Sequence, residues 1–166
     1  MRHAVGAAVP GRFTRSFSYA GPASTVCLAT DAQPGKKIYA DREYTFAELP
    51  AALRGGDYVQ AANADKLYNA VDLMELAVPA GALVSIAHDD RLPRPAWLTR
   101  QFTPSDTSLL VDGKPMRIFQ HRAQADESLT LGANTEDAKL KTCNMYLVFI
   151  TAPERPRAAQ TDDRSQ

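Results

Sequence analysis

The sequence predicts an all-β fold, an antiparallel β-sandwich over residues 36–151, on three observations. Short runs rich in β-branched and aromatic residues alternate with turn residues, a rhythm of strands and turns rather than of βαβ units. The run 82–88 places Val84, Ile86 and His88 on one face and Leu83, Ser85 and Ala87 on the other, as in a strand covered from both sides. The run 143–150 is the most hydrophobic of all and is apolar on both faces, which marks a central strand.

Taken in order, the elements are as follows. Residues 1–35 mix Gly, Pro, Ser and Ala with the isolated aromatics Phe13, Phe17 and Tyr19, and end in Gln33, Pro34 and Gly35. They are expected to be a linker or a loosely docked segment, with room for one docking strand. The runs 37–40 and 44–46 flank a polar Asp41-Arg42-Glu43 link. A helical turn is predicted over 47–53, with Pro50 early in it and Gly55 just after. The strand 57–61 follows Gly55-Gly56. At 67–78 two periods compete. Leu67, Val71, Met74 and Val78 recur at helical spacing, while 71–77 also reads as a strand; the strand is preferred because Pro79, Gly81 and the next strand leave little room for a helix. The runs 109–112 and 115–121 are joined by Asp112-Gly113-Lys114, a hairpin signal because Asp and Gly tolerate positive φ. Residues 152–166 carry nothing that packs and are expected to be a disordered tail.

Composition narrows the function classes. A chain of 166 residues with 45% hydrophobic content can bury a real core as one domain. Lys plus Arg and Asp plus Glu both number 19, so no overall field steers a polyanion, which argues against nucleic acid as the main partner. No apolar run approaches the ~20 residues needed to cross a bilayer, so no membrane insertion is expected. Met1, Arg2 and His3 start like a signal peptide, but Pro10, Gly11 and Arg12 interrupt the short apolar stretch that follows, and no signal peptide is expected. Cys27 and Cys143 are too few and too far apart for a disulfide framework or a CxxC site. Two buried, inert thiols are the expectation and a single disulfide the alternative.

From Lys37 onward the sequence runs through Tyr39-x-Asp41-Arg42-x-Tyr44-x-Phe46, a Pro50-x-x-Leu53-x-Gly55 step, Asp89-Asp90-Arg91 followed by Pro95-x-Trp97-Leu98, a Leu131-Gly132-x-Asn134 turn and a closing Met145-Tyr146 strand. In this order and spacing it resembles an accessory module fused to secreted bacterial polysaccharide lyases, glycoside hydrolases and proteases. The resemblance implies a galactose-binding-like or jelly-roll β-sandwich. It further implies a non-catalytic role beside a catalytic domain, on the same or another chain. The partner is then a polysaccharide or surface glycan, or the catalytic neighbour alone, and the location is secreted or periplasmic.

The candidate ligand-binding residues are His88, Asp89, Asp90, Arg91 and Trp97. Carboxylates and a guanidinium bind vicinal hydroxyls in fixed geometry, and an indole face offers a pyranose an apolar platform. The competing explanation is structural: Asp90 and Arg91 pair with Asp41 or Arg42, and Trp97 plugs the core. Asn63, Asp65 and Asn134 are loop oxygen donors that suit a structural calcium ion, or turn residues bonding their own backbone. No other cofactor is indicated. A transition-metal site on His88 lacks a paired histidine, since His3 and His121 stand alone. The chain has no Gly-x-Ser-x-Gly elbow, phosphate loop or HExxH. Adjacent Asp89 and Asp90 on a strand point to opposite faces and do not form a glycosidase pair. No catalytic residue is assigned.

Overall fold

A computed structural model describes residues 11–136 and 139–152. Nearly every regular element in it is a strand, as the alternating runs require. The strands are β1 (Ser16–Tyr19), β2 (Cys27–Ala29), β3 (Asp57–Gln60), β4 (Met74–Val78), β5 (Leu83–Asp89), β6 (Thr103–Val111), β7 (Lys114–Arg122), β8 (Glu127–Leu131) and β9 (Leu147–Thr151). One short helix, α1 (Ala96–Gln101), interrupts them. The strands form a three-stranded sheet in the order β1-β4-β8 and a six-stranded sheet in the order β2-β3-β9-β5-β7-β6, with every pairing antiparallel. This is the β-sandwich class that the sequence predicts.

Side-chain periodicity explains the layering. In β4, Met74, Leu76 and Val78 are buried while Glu75 is exposed, and in β8 Leu129 and Leu131 alternate with exposed Ser128 and Thr130, so the small sheet has one wet face. In the large sheet β5 lies between β9 and β7, and Val84 to Asp89 are all buried. The second face of this sheet is covered by the loop segment 30–56, which carries the buried Ile38, Tyr39, Phe46, Leu49 and Leu53. Phe46 and Tyr58 meet Phe149 of β9 at ring distances of 5.9 and 6.3 Å. The β6–β7 hairpin turns at Asp112 (φ 54°) and Gly113 (φ 74°), as the Asp-Gly signal requires. β6 is an edge strand, so it tolerates Pro104 and an irregularity between Pro104 and Ser108.

Several elements differ from expectation. The segment read as a linker contributes β1 and β2: Phe17 pairs with Leu76 of β4, and Leu28 pairs with Val59 of β3. Its composition hides this, because two strands this short need neighbours to supply most of their hydrogen bonds and burial. The runs 37–40 and 44–46 form only an isolated bridge, Lys37 to Thr45, since their side chains cover the sheet instead of joining it. The predicted helical turn contracts to a 3-10 turn at Ala51–Leu53. The helix α1 and the strand β8 were not foreseen. The apolar run 143–150 does supply a central strand, but only from Leu147; residues 143–146 are irregular. The termini, including His3 and the expected tail from 153 onward, lie outside the described residues.

Candidate functional site

The irregular stretch 143–146 carries backbone groups that no strand satisfies, and buried amides must be bonded. The chain meets this need with side chains. Asn144 N donates to Asp89 Oδ2 at 2.8 Å, Met145 N to Asn63 Oδ1 at 2.7 Å and Tyr146 N to Asn134 Oδ1 at 3.0 Å. Asn134 Nδ2 donates to the Asn144 carbonyl at 3.0 Å, and Tyr39 Oη to the Met145 carbonyl at 2.6 Å. Asn144 reaches on to the Val111 carbonyl through Nδ2 at 3.3 Å. His88 Nε2 lies 2.9 Å from the Asn134 carbonyl, which places the ring proton on that nitrogen. Residues far apart in sequence are thus gathered around four irregular residues, as an internal scaffold.

Asp89 is the charged member of this network and is fully buried. It receives Arg91 N at 3.0 Å, Arg91 Nε at 3.0 Å and Arg91 Nη2 at 2.8 Å, besides Asn144 N. Burial pushes its carboxyl upward, but the Arg91 guanidinium and the N–H donors outweigh this and hold it below the usual carboxylate value. Burial holds His88 below its ordinary value against the opposing pull of the Asn134 carbonyl and of Asp89. Arg91 also bonds the Thr142 carbonyl at 3.0 Å, pinning the entry to the irregular stretch.

The structure redistributes the predicted ligand-binding cluster accordingly. His88 and Asp89 are buried and spent on the scaffold, so neither faces a ligand. Arg91 pairs with Asp89 and not with Asp41, while Asp90 points away and lies 3.8 Å from Arg117. Asp41 instead accepts the N–H groups of Asn63 and Ala64 at 2.8 and 3.0 Å. Trp97 is only 7% exposed and therefore presents no ring face to a sugar. Its Nε1 donates to the Ala133 carbonyl at 2.8 Å, and its rings contact Tyr146 and Phe102 at 5.1 and 6.2 Å. Gly132 is required beneath it: a Cβ there would sit 2.8 Å from Trp97 Cδ1. The Leu-Gly-x-Asn turn is explained by these two contacts, glycine under the indole and Asn134 on the irregular stretch.

The oxygens proposed for calcium divide between two networks. Asn63 and Asn134 belong to the scaffold, whereas Asp65 accepts Tyr19 Oη and Ala23 N, fastening β1 and the loop after it to the body. Burial and this carboxylate raise the Tyr19 phenol well above its usual value. Among the described residues no group of three or more His, Cys, Asp or Glu side chains is placed to hold a metal ion. Both thiols are free; Cys143 is buried as expected, but Cys27 is exposed on the edge strand β2.

A second polar region was not anticipated. An open groove of about 520 Å³ is lined by Arg12, Arg54 and Arg122 together with Phe13, Leu83, Gly55 and Thr151, and among the described residues no Asp or Glu lines it. Buried Asp57 positions one wall, accepting Arg12 N at 3.0 Å, Phe13 N at 2.7 Å and Thr14 Oγ1 at 2.7 Å. Arg12 then lies over the Phe13 ring at 5.0 Å. Arg54 spends its Nε on the Leu49 carbonyl, and Arg122 an Nη1 on the Gly81 carbonyl. No sequence signal marks this groove, because its arginines come from the N-terminal segment, the loop before β3 and the end of β7.

No family model matches the chain. Over 136 residues, 82% of its length, it is 32% identical to a beta-glucuronidase of Formosa agariphila, and it spans 14% of that protein. The solved structure of a beta-glucuronidase from glycoside hydrolase family 2 matches 81% of this chain and 14% of its own, with a TM-score of 0.78 and 32% sequence identity. The chain is therefore similar, in sequence and in fold, to a small part of a much longer glycoside hydrolase.

Proposed function

We propose that this chain is a non-catalytic accessory module of a glycoside hydrolase, a jelly-roll sandwich that acts on polysaccharide in company with a catalytic domain. The observation that carries the reading is the continuous 136-residue match to 14% of a beta-glucuronidase. The internal use of the polar motif residues supports it. Asp89, the best candidate for acid or base chemistry, is locked to Arg91 and Asn144, and Asp90 is turned to the opposite face. Two carboxylates converging on one bond, the requirement for glycoside hydrolysis, are not brought together by these residues. An exported location follows from the same reading, as does assembly with the catalytic neighbour.

The experiment has two arms. The purified chain, incubated with a chromogenic β-glucuronide, is expected to release no chromophore above buffer. A chimera in which this chain replaces the matching segment of the Formosa beta-glucuronidase is expected to fold and hydrolyse the same substrate. Turnover by the isolated chain overturns the non-catalytic assignment, and a folded but inactive chimera overturns the accessory one.

A further inference from the structure

We infer that Asp90, Arg94 and Arg117 form a binding site for a saccharide, held through its hydroxyl groups. Asp90 is the member of the predicted ligand-binding cluster that neither the scaffold nor the core uses. Its backbone N–H donates to the Pro115 carbonyl at 3.1 Å, which fixes the end of β5 against β7. Among the described residues its carboxylate accepts no hydrogen bond, and its ion-pair partner is Arg117, whose Nε lies 3.8 Å away. That separation is too long for a hydrogen bond. Arg117 is held back by the irregular part of β6: its Nη1 donates to the Ser105 carbonyl at 3.1 Å, within the stretch between Pro104 and Ser108 where the register shifts. Bulges re-aim side chains in this way and gather beside functional sites. The Arg117 Nε is buried without an acceptor among the described residues, so the two charges face each other and neither satisfies the other.

The unmet groups define the ligand class. A carboxylate only accepts and a guanidinium only donates, whereas a hydroxyl does both. A ring with two neighbouring hydroxyls meets this pair, one hydroxyl donating to Asp90 and the other accepting from the outer nitrogens of Arg117. Both side chains are open to such a ligand, Arg117 being 37% and Asp90 39% exposed. Arg117 and Phe119 share one face of β7, and Arg94 lies over the Phe119 ring at 4.8 Å, so a second guanidinium stands beside the pair. Stacking fixes its plane and leaves its N–H edges free, and among the described residues Arg94 makes no hydrogen bond or ion pair. Ser108, opposite Arg117 in β6, adds an exposed hydroxyl. That the ligand is a pyranose rests on the accessory-module reading; that these side chains hold unused donors and acceptors does not.

The test is a proton–nitrogen NMR titration of the purified chain with methyl β-glucoside, methyl β-glucuronide and sodium acetate, each to millimolar concentration. The buried Nε–H of Arg117 serves as the reporter. Saturable shifts of this signal and of the Asp90 amide are expected with both sugars and not with acetate. Asp90→Ala is expected to weaken both sugars at least tenfold, an order-of-magnitude figure for losing a charge-assisted hydrogen bond. The fold should hold in this variant, as circular dichroism checks, because the lost carboxylate anchors no other described residue. Glu75→Ala, the same charge change on the exposed face of the small sheet, is expected to leave affinity unchanged. The inference is overturned if neither sugar gives a saturable shift, or if Asp90→Ala binds as the parent does. It is equally overturned if acetate reproduces the shifts or the glucuronide alone produces them, since either means an anion on the arginines and not a hydroxyl. An active chimera together with any of these results would sink the site while leaving the accessory role standing, and saturable shifts with an inactive chimera would do the reverse.

Discussion

The scaffold around residues 143–146 and the arginine groove are both polar, but they use polarity in opposite ways. In the scaffold almost every donor meets an acceptor inside the protein: Asn63, Asn134, Asn144, His88 and Asp89 are buried and bonded. In the groove, the guanidinium groups of Arg12, Arg54 and Arg122 line an open surface. A buried polar group must be satisfied or it costs stability, so a closed network fixes structure. Of the residues that looked most like a sugar site, His88, Asp89 and Arg91 are tied into the scaffold and Trp97 into the core, whereas Asp90 lies outside both.

The sharpest way to break this contrast is Trp97→Ala. The indole is buried against Tyr146, Phe102 and Gly132, so its removal should cost about 3–5 kcal/mol of folding stability, read as a fall in denaturant midpoint. A variant as stable as the parent would contradict the core role of Trp97.

Next in size is Asp89→Asn, which leaves Arg91 without its charge partner and removes one acceptor oxygen from the scaffold. A loss of about 3–5 kcal/mol is expected, the range for breaking a buried pair from one side. The same residues set the pH response. His88 lies below its ordinary value of 6.5 in the folded state, so the unfolded chain takes up the proton more readily. Its contribution is complete above 6.5 and declines as pH falls below it. Asp89 lies below its ordinary 3.8, so its contribution is complete above that value and is lost as the pH falls through the lower folded one. Urea melts across pH should show both windows. His88→Gln should flatten the first and Asp89→Asn the second, and a wild-type stability independent of pH below 6.5 would contradict the buried neutral imidazole.

The smallest effect is expected at Ser85, whose buried Oγ has no hydrogen-bond partner among the described residues. Ser85→Ala removes an unpaid desolvation cost and should leave stability unchanged or raise it by about 1 kcal/mol. A clear loss by calorimetry would mean that this hydroxyl is satisfied in solution, and that the core is less dry than the scaffold argument holds.

The alternating runs, the Asp112-Gly113 turn and the two-sided apolar strands were legible in the sequence because their causes are local: pleat periodicity and backbone steric preference act over a few residues. The missed elements have non-local causes. β1 and β2 are short and become strands only by pairing with β4 and β3. Residues 143–146 are as apolar as a strand, yet they are drawn out of the sheet by two asparagines and an aspartate, two of which lie more than 50 positions away. The candidate site was legible as a set of chemically capable residues, and His88, Asp89, Arg91, Asn63 and Asn134 do converge. Their purpose was not legible, since the same carboxylate serves a ligand or an amide depending on which one lies opposite.

By itself, then, the sequence determined the class of fold, the central strands and the principal hairpin, because hydrophobic period and turn chemistry are written in neighbouring residues. Only the tertiary structure decided which polar groups face inward and which outward. It closed Asp89 on Arg91, laid Trp97 over Gly132, and assembled Arg12, Arg54 and Arg122 around one groove. The physical reason is that burial and charge proximity are properties of chain crossings between distant segments, and no local pattern records where those crossings fall.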